Sequence, residues 1–182
     1  MNTTEIVIIV VAVLVVIGVA VMLMRKREGE RLKERFGSEY HRQVDAAGSE
    51  TKAQAELLKR EKRVEKFDIH PLPPEQREAF AADWQQVQAR FVDDPERSIA
   101  LADALLAEVM KARGYPVENF EQRAGDLSVE HPELVANYRA AHEIAERRAQ
   151  GRADTEDLRS ALLGYRNLFD ELLHADAGAP AH

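Results

Sequence analysis

An unbroken run of 19 apolar residues near the N-terminus, residues 6 to 24, constrains this chain more than any other feature. At 1.5 Å per residue, a helix of this length reaches about 28 Å, close to the ~30 Å hydrocarbon core of a bilayer. A helix buried in a protein core normally keeps a polar side, and this run has none. The run therefore predicts a single transmembrane helix over residues 6–24, preceded by a short extracytoplasmic segment at residues 1–5.

A cleavable secretory signal is the main alternative for this run. Such a signal needs a positively charged start, a shorter apolar stretch and small residues at the cleavage site. Residues 1–5 contain no Lys or Arg, and the run ends in Met22, Leu23 and Met24. The sequence therefore favours an anchor that is kept.

Basic residues follow the apolar run, and none precedes it. Residues 25 to 44 hold seven of them: Arg25, Lys26, Arg27, Arg31, Lys33, Arg35 and Arg42. Lys and Arg next to a membrane span are retained on the cytoplasmic side. We therefore expect a single-pass protein of the cell membrane, with the N-terminus outside and the C-terminal domain in the cytoplasm.

The balance of charge changes sign along the rest of the chain. Residues 25–66 contain 13 Lys and Arg against nine Asp and Glu, whereas residues 67–182 contain 12 against 22. This pattern predicts a basic juxtamembrane helical stem at residues 25–67, interrupted at Gly29, Gly37 and Gly48. The basic residues nearest the bilayer could contact anionic lipid, namely Arg25, Lys26, Arg27, Arg31, Lys33 and Arg35. The interleaved acids favour a solvated spacer helix instead.

Beyond the stem, the sequence predicts an all-α domain. The prolines in residues 68–74 cannot continue a helix, and the helical patterns that follow predict an acidic bundle of about four helices at residues 68–174. Asp94 stands where a helix N-cap is expected, and either Asp154 or Thr155 caps the last helix. A short helix is predicted near residues 119–124, and a disordered tail at residues 175–182.

No motif for a known chemistry occurs in the sequence. A phosphate-binding glycine loop, a nucleophile elbow, zinc-ligand spacing and cysteine are all missing. His142 and Glu143 begin like a zinc-protease helix, but the second histidine is absent. We therefore predict no catalytic residue, no cofactor, no metal and no identifiable small-molecule substrate. Nucleic acid is not expected as a partner, because the acidic domain would repel it.

The stretch from Arg113 to His142 differs most from an ordinary helical sequence, because it contains a long connection between two predicted helices. Long connections that mix aromatic and polar groups often serve in recognition. The residues predicted for a partner-binding surface are Tyr115, Phe120, Glu121, Arg123, Asp126, His131, Tyr138, Arg139 and His142. The alternative is that Tyr115, Phe120 and Leu127 simply close the end of the bundle.

Several short motifs in residues 84–142 carry a resemblance. They are Phe91-Val92-Asp93-Asp94-Pro95, Arg113-Gly114-Tyr115-Pro116, Phe120-Glu121-Gln122-Arg123-Ala124, Asp126-Leu127-Ser128-Val129 and Tyr138-Arg139-Ala140-Ala141-His142. This stretch resembles a family of uncharacterised bacterial single-pass membrane proteins with a helical cytoplasmic domain. The resemblance implies a bacterial source and a membrane address, and it supplies no catalytic residue.

Three functions follow from the sequence. The leading hypothesis is a membrane-tethered scaffold or adaptor, whose partners are the lipid bilayer and another protein. The second is an enzyme with an unfamiliar site, which a cleft lined by His142, Arg139, Asp126 or Glu121 would favour. The third is a stem that binds anionic lipid.

Overall fold

The structure is a computed structural model that describes the backbone of residues 3–175 and the side chains of residues 11–175. Within these bounds every regular element is an α-helix, which confirms the predicted fold class. The helices are α1 Thr3–Ala47, α2 Glu50–Val64, α3 Pro74–Arg90, α4 Pro95–Ala112, α5 Phe120–Leu127, α6 Pro132–Ala149 and α7 Thr155–His174. The chain forms two compact units that divide between Arg35 and Phe36.

The first unit contains the N-terminal part of α1. Every residue from Val11 to Arg27 in this unit is exposed. Over the described residues, none of the helices combines the length and the apolar character that crossing a membrane requires. The side chains of residues 6–10 and residues 176–182 of the predicted tail lie outside the described part, so the transmembrane helix and the tail stay predictions.

Glycines break the helix at two of the three predicted points. Helix α1 runs through Gly29 without interruption, kinks at Gly37 (φ 48°, ψ −122°), and ends before Gly48 at φ 65°. Both φ values lie in the left-handed region that glycine adopts without steric cost. The predicted interruption at Gly29 was wrong, since a glycine inside a helix weakens it without ending it.

The second unit begins earlier than the sequence predicted. It starts at Phe36, whereas the stem was expected to continue to residue 67. Phe36 and Tyr40 on α1 are buried, as is Leu57 on α2. Their apolar side chains outweigh the surrounding charge and draw residues 36–64 onto the domain. The description of this stretch as a solvated spacer therefore does not hold beyond Arg35.

The core of the second unit lies among α3, α4, α6 and α7, as the predicted bundle requires. Helix α7 packs along both α6 and α4, and α3 forms a hairpin with α4. The core side chains include Trp84, Val87, Leu106, Met110, Val135, Tyr138, Leu158, Tyr165, Leu168 and Phe169. Gly164 lets α7 approach α6, because a Cβ there would lie 2.8 Å from the carbonyl oxygen of Asn137.

The predicted helix starts are present. The carboxylate of Asp94 accepts a hydrogen bond from the backbone N–H of Arg97. Asp154 and Asp157 form a reciprocal capping box at the start of α7. These caps satisfy backbone N–H groups that have no partner inside the helix, and so they fix where α4 and α7 begin.

Candidate functional site

The structure divides the nine residues predicted for a partner-binding surface into two groups. Six of them are at least nine-tenths buried: Tyr115, Arg123, Asp126, His131, Tyr138 and Arg139. Phe120, Glu121 and His142 are at least partly accessible to solvent. The connection before α6 is therefore largely interior, and most of it cannot act as an exposed recognition surface.

A buried carboxylate, that of Glu39 on α1, organises the nearest cluster of charges. Its Oε1 accepts hydrogen bonds from Arg42 at 2.7 Å, Arg60 at 3.0 Å and Arg139 at 3.1 Å. Arg139 also donates to Glu121 at 2.8 Å. The Glu39 carboxylate therefore joins three helices, α1, α2 and α6, and Arg139 extends the cluster to Glu121 on α5.

The charge state of Glu39 follows from these neighbours. Burial alone raises the pKa of a carboxyl group, but the hydrogen bonds and positive charges of Arg42 and Arg139 outweigh it and lower the pKa of Glu39 to about 2. The hydrogen bond to Glu39 in turn raises the pKa of Arg42. Glu39 and Arg42 are therefore both ionised at neutral pH.

A second buried acid, Asp126 on α5, is fully shielded from solvent. Its carboxylate lies 3.3 Å from Arg63 on α2 and accepts a hydrogen bond from Gln122 at 3.0 Å. Burial raises the pKa of Asp126, and the charge of Arg63 partly offsets that rise. The guanidinium of Arg60 on α2 also packs beside Gly125, 3.5 Å from where a Cβ would lie. These contacts fix α5 against α2.

A third cluster centres on Asp103 of α4. Its carboxylate accepts hydrogen bonds from Arg123 at 2.9 Å and from the hydroxyl of Tyr138 at 3.1 Å. Burial and the negative charge of Asp103 raise the pKa of both Tyr138 and Tyr165. Both phenols are thus neutral, and the cluster fixes α4 to α5 and α6.

The end of the bundle is closed by a further polar set. Arg113 donates to the carbonyl of Leu172 at 2.7 Å, and the hydroxyl of Tyr115 donates to Glu130. Burial lowers the pKa of His131, although Glu171 lies 3.5 Å from its Nδ1. These contacts support the interpretation that this connection closes the end of the bundle.

An open depression lies beside the Glu39 cluster, and we call it the α5–α6 groove. It has a volume of about 410 Å³ and is lined by Arg42, Asn119, Phe120, Glu121, Arg139, His142, Glu143 and Glu146. The rings of Phe120 and His142 stack at its edge, with centroids 3.5 Å apart and planes 8° apart. Of the four residues expected to line an enzymatic cleft, Glu121, Arg139 and His142 line this groove. Asp126 does not.

The acidic side chains of the groove are largely exposed. Catalytic carboxylates need burial that shifts their pKa values, but the side chains of Glu121 and Glu146 are 70% and 65% exposed. Among the described residues, no three His, Asp or Glu side chains are placed to hold a metal ion. Exposed acids around an aromatic stack favour recognition of a positively charged group.

Sequence reasoning missed two central residues, Glu39 and Asp103. Glu39 lies three residues after Phe36 and one before Tyr40, so it shares the apolar face of α1. Asp103 follows Ala102 and is four residues after Ile99 on the buried side of α4. An acid on the buried side of a helix usually requires a positively charged partner, and that signal could have indicated both clusters.

Comparison of the chain with protein-family models, with curated proteins and with solved structures found no match in any of the three. The resemblance of residues 84–142 to uncharacterised bacterial membrane proteins therefore stays a prediction. The residues of the groove and the exposed apolar helix are the features from which a function can be inferred.

Proposed function

We propose that this chain is a membrane-anchored adaptor, in which an N-terminal transmembrane helix holds a helical, protein-binding domain at the cytoplasmic face. The observation that carries the proposal is the exposure of every residue from Val11 to Met24. Leaving so much apolar surface in water is unfavourable by roughly 25 cal/mol per Å². A bilayer would cover this surface on all sides of the helix.

The basic residues after the apolar run support the proposed orientation. Arg25, Lys26 and Arg27 are exposed, and Lys33 is exposed one to two turns further on. Retention of such residues in the cytoplasm would place the second unit there. Near anionic headgroups, each would contribute on the order of 1 kcal/mol to membrane binding. This location matches the bacterial membrane proteins that the sequence resembles.

The α5–α6 groove is the part of the domain that we assign to partner binding. Its two arginines are already paired, Arg42 with Glu39 and Arg139 with both Glu39 and Glu121. The exposed carboxylates of Glu143 and Glu146 therefore determine the charge that a partner meets. We infer that the partner presents a basic segment, with an arginine or aromatic side chain against Phe120.

Crosslinking in cells tests this assignment. With a photoreactive phenylalanine derivative at Glu143, we expect a discrete adduct with another protein, because this side chain stands at the rim of the groove. Reversing the neighbouring charge with Glu146→Lys should reduce the adduct at least several-fold. Gel mobility and mass spectrometry of the adduct provide the measurement.

The matched control carries the same photoreactive residue at Glu156, an exposed acid in the first turn of α7. A position outside the groove should give no discrete adduct. Equal crosslinking at Glu143 and Glu156, or an adduct that survives Glu146→Lys, would contradict the assignment. The variants leave residues 113–131 intact, because many of these residues are buried and close the end of the bundle.

A further inference from the structure

The solvent-facing side of α2 carries a row of lysines. Successive residues of an α-helix are separated by about 100°, so residues seven apart lie nearly above one another. Lys52 and Lys59 have this spacing, Lys62 stands on the same side, and Lys66 follows two residues after α2 ends. The opposite side of the helix is buried through Ala53, Leu57, Glu61 and Val64. We call the four lysines the α2 lysine face.

These lysines are available for interaction. All four are exposed, and the side chain of Lys59 is 77% exposed with only a 3.7 Å approach to Glu56. Within the described residues, neither Lys62 nor Lys66 forms an ion pair. The unbalanced positive charge of α2 therefore lies on the side that points away from the domain.

An apolar element lies between the lysines. Leu58 and Ala55 share a shallow surface depression of about 530 Å³ with Lys59, Lys62, Arg63 and Lys66. Of the acids of α2, Glu50 stands in the first turn, Glu61 is buried, and Glu56 lies at the edge of the lysine face, as does Glu65 just after the helix. A leucine among lysines is the pattern of a helix that rests on a lipid interface, where the leucine reaches the acyl boundary.

The charge of the remaining domain restricts what this face can meet. Residues 67–182 carry 12 Lys and Arg against 22 Asp and Glu, so an anionic surface would repel most of the domain and attract α2. Attraction of α2 and repulsion of the acidic part would bind the domain to the anionic surface and also fix its orientation there. A broad anionic plane fits this distribution better than a nucleic acid strand, which would need a basic groove along its backbone.

We propose that the α2 lysine face docks on anionic lipid headgroups and so orients the domain on the bilayer. This inference rests on the proposed membrane anchorage. An anchored helix keeps α2 at a high effective concentration near the surface, so each contact can be weak. Each lysine near an anionic surface raises affinity roughly fivefold. Reversing three lysines should lower the ratio of docked to undocked domain by about 100-fold or more.

Because the chain contains no cysteine, one introduced cysteine can be labelled without background. The full-length chain carrying Leu58→Cys, labelled with an environment-sensitive fluorophore, is reconstituted into vesicles that contain acyl-brominated phosphatidylcholine as a quencher. We expect strong quenching when phosphatidylglycerol is also present and little quenching in phosphatidylcholine alone. About 1 M NaCl should reverse the quenching, because the Debye length then falls to about 3 Å.

Two matched comparisons isolate the lysine face. The triple variant Lys59→Glu/Lys62→Glu/Lys66→Glu should lose the quenching of the label at position 58. A triple variant with the same change in net charge, Lys111→Glu/Arg152→Glu/Arg159→Glu, should keep it. A label at Arg166→Cys on α7, an exposed position of the acidic domain, should stay unquenched in both lipid mixtures.

The outcomes separate this inference from the proposed function. Flotation of the labelled vesicles measures anchorage independently of quenching. If the chain floats with the vesicles but the label at position 58 is equally quenched in both lipid mixtures, or in neither, docking is overturned and anchorage stands. If the chain does not float with either mixture, the proposed function fails and docking fails with it.

Discussion

Replacing Glu39 by Ala is expected to lower the free energy of unfolding of the second unit by about 3 kcal/mol. Removing one member of a buried ion pair is costly because the remaining charge stays buried without compensation. Arg139, which is only 8% exposed, would lose both hydrogen bonds that it donates to Glu39 and would keep only the exposed Glu121 as an ionic partner. The same change would remove the hydrogen bond from Arg60 on α2.

Urea unfolding followed by tryptophan fluorescence measures this effect. Trp84 is the only tryptophan, is buried, and stacks on Phe169 with ring centroids 4.7 Å apart, so it reports on the core of the bundle. The matched control is Glu56→Ala, which removes a solvent-exposed contact to Lys59 and should cost less than about 0.5 kcal/mol. Similar losses for the two variants would contradict the role given to Glu39.

The pH dependence of the free energy of unfolding should also report the contribution of Glu39. The pKa of Glu39 in the folded chain, about 2, lies below its ordinary value of 4.5. A carboxyl group with a lowered folded pKa stabilises the fold when ionised, so its contribution is fully present above about pH 4.5. This contribution should be lost as the pH falls from 4.5 towards 2, and Glu39→Ala should lose less stability over that interval than the natural chain.

Gly114→Ala is expected to destabilise the second unit by about 3 kcal/mol, through two costs that act together. Gly114 has a φ of +95°, a conformation that L side chains rarely adopt. An added Cβ would also lie 2.1 Å from the backbone oxygen of Asp68. A backbone oxygen cannot rotate away, so the segment after α2 would have to move. Urea unfolding monitored through Trp84 gives the change.

Gly151→Ala separates the two costs. Gly151 has a φ of +69°, and an added Cβ there would meet no atom within 4 Å. This variant carries only the cost of the backbone conformation, so its free energy of unfolding should fall by about 1 kcal/mol. If Gly114→Ala costs no more than Gly151→Ala, the close approach to Asp68 is not a constraint on the fold.

The helices of the bundle could be predicted because their signals are local. Asp94 and Asp154 cap helices through hydrogen bonds to residues three positions away, and a pattern within one stretch of sequence contains that information. Trp84 and Val87 are three residues apart and therefore lie on one side of α3, so this signal is also local. The prediction of an all-α bundle followed from such features.

The buried ion pairs could not be predicted in the same way, because their members are far apart in the chain. Glu39 and Arg139 are separated by 100 residues. The balance of charge along the sequence assigned Glu39 to a basic stem, and the mixture of aromatic and polar residues near the connection before α6 assigned Arg139 to a recognition surface. The free energy that joins them depends on burial, which no single stretch of sequence reveals. For the same reason, the second unit was predicted to begin later than it does.

The extraction behaviour of the full-length chain tests membrane anchorage most directly. Membranes from cells that express it are washed with alkaline carbonate, which removes peripheral proteins, and then treated with detergent. A chain held by the apolar helix at residues 6–24 should stay in the washed membranes and be released only by detergent. Recovery of the intact chain, with its first 30 residues present, in the soluble fraction before any wash would contradict the account.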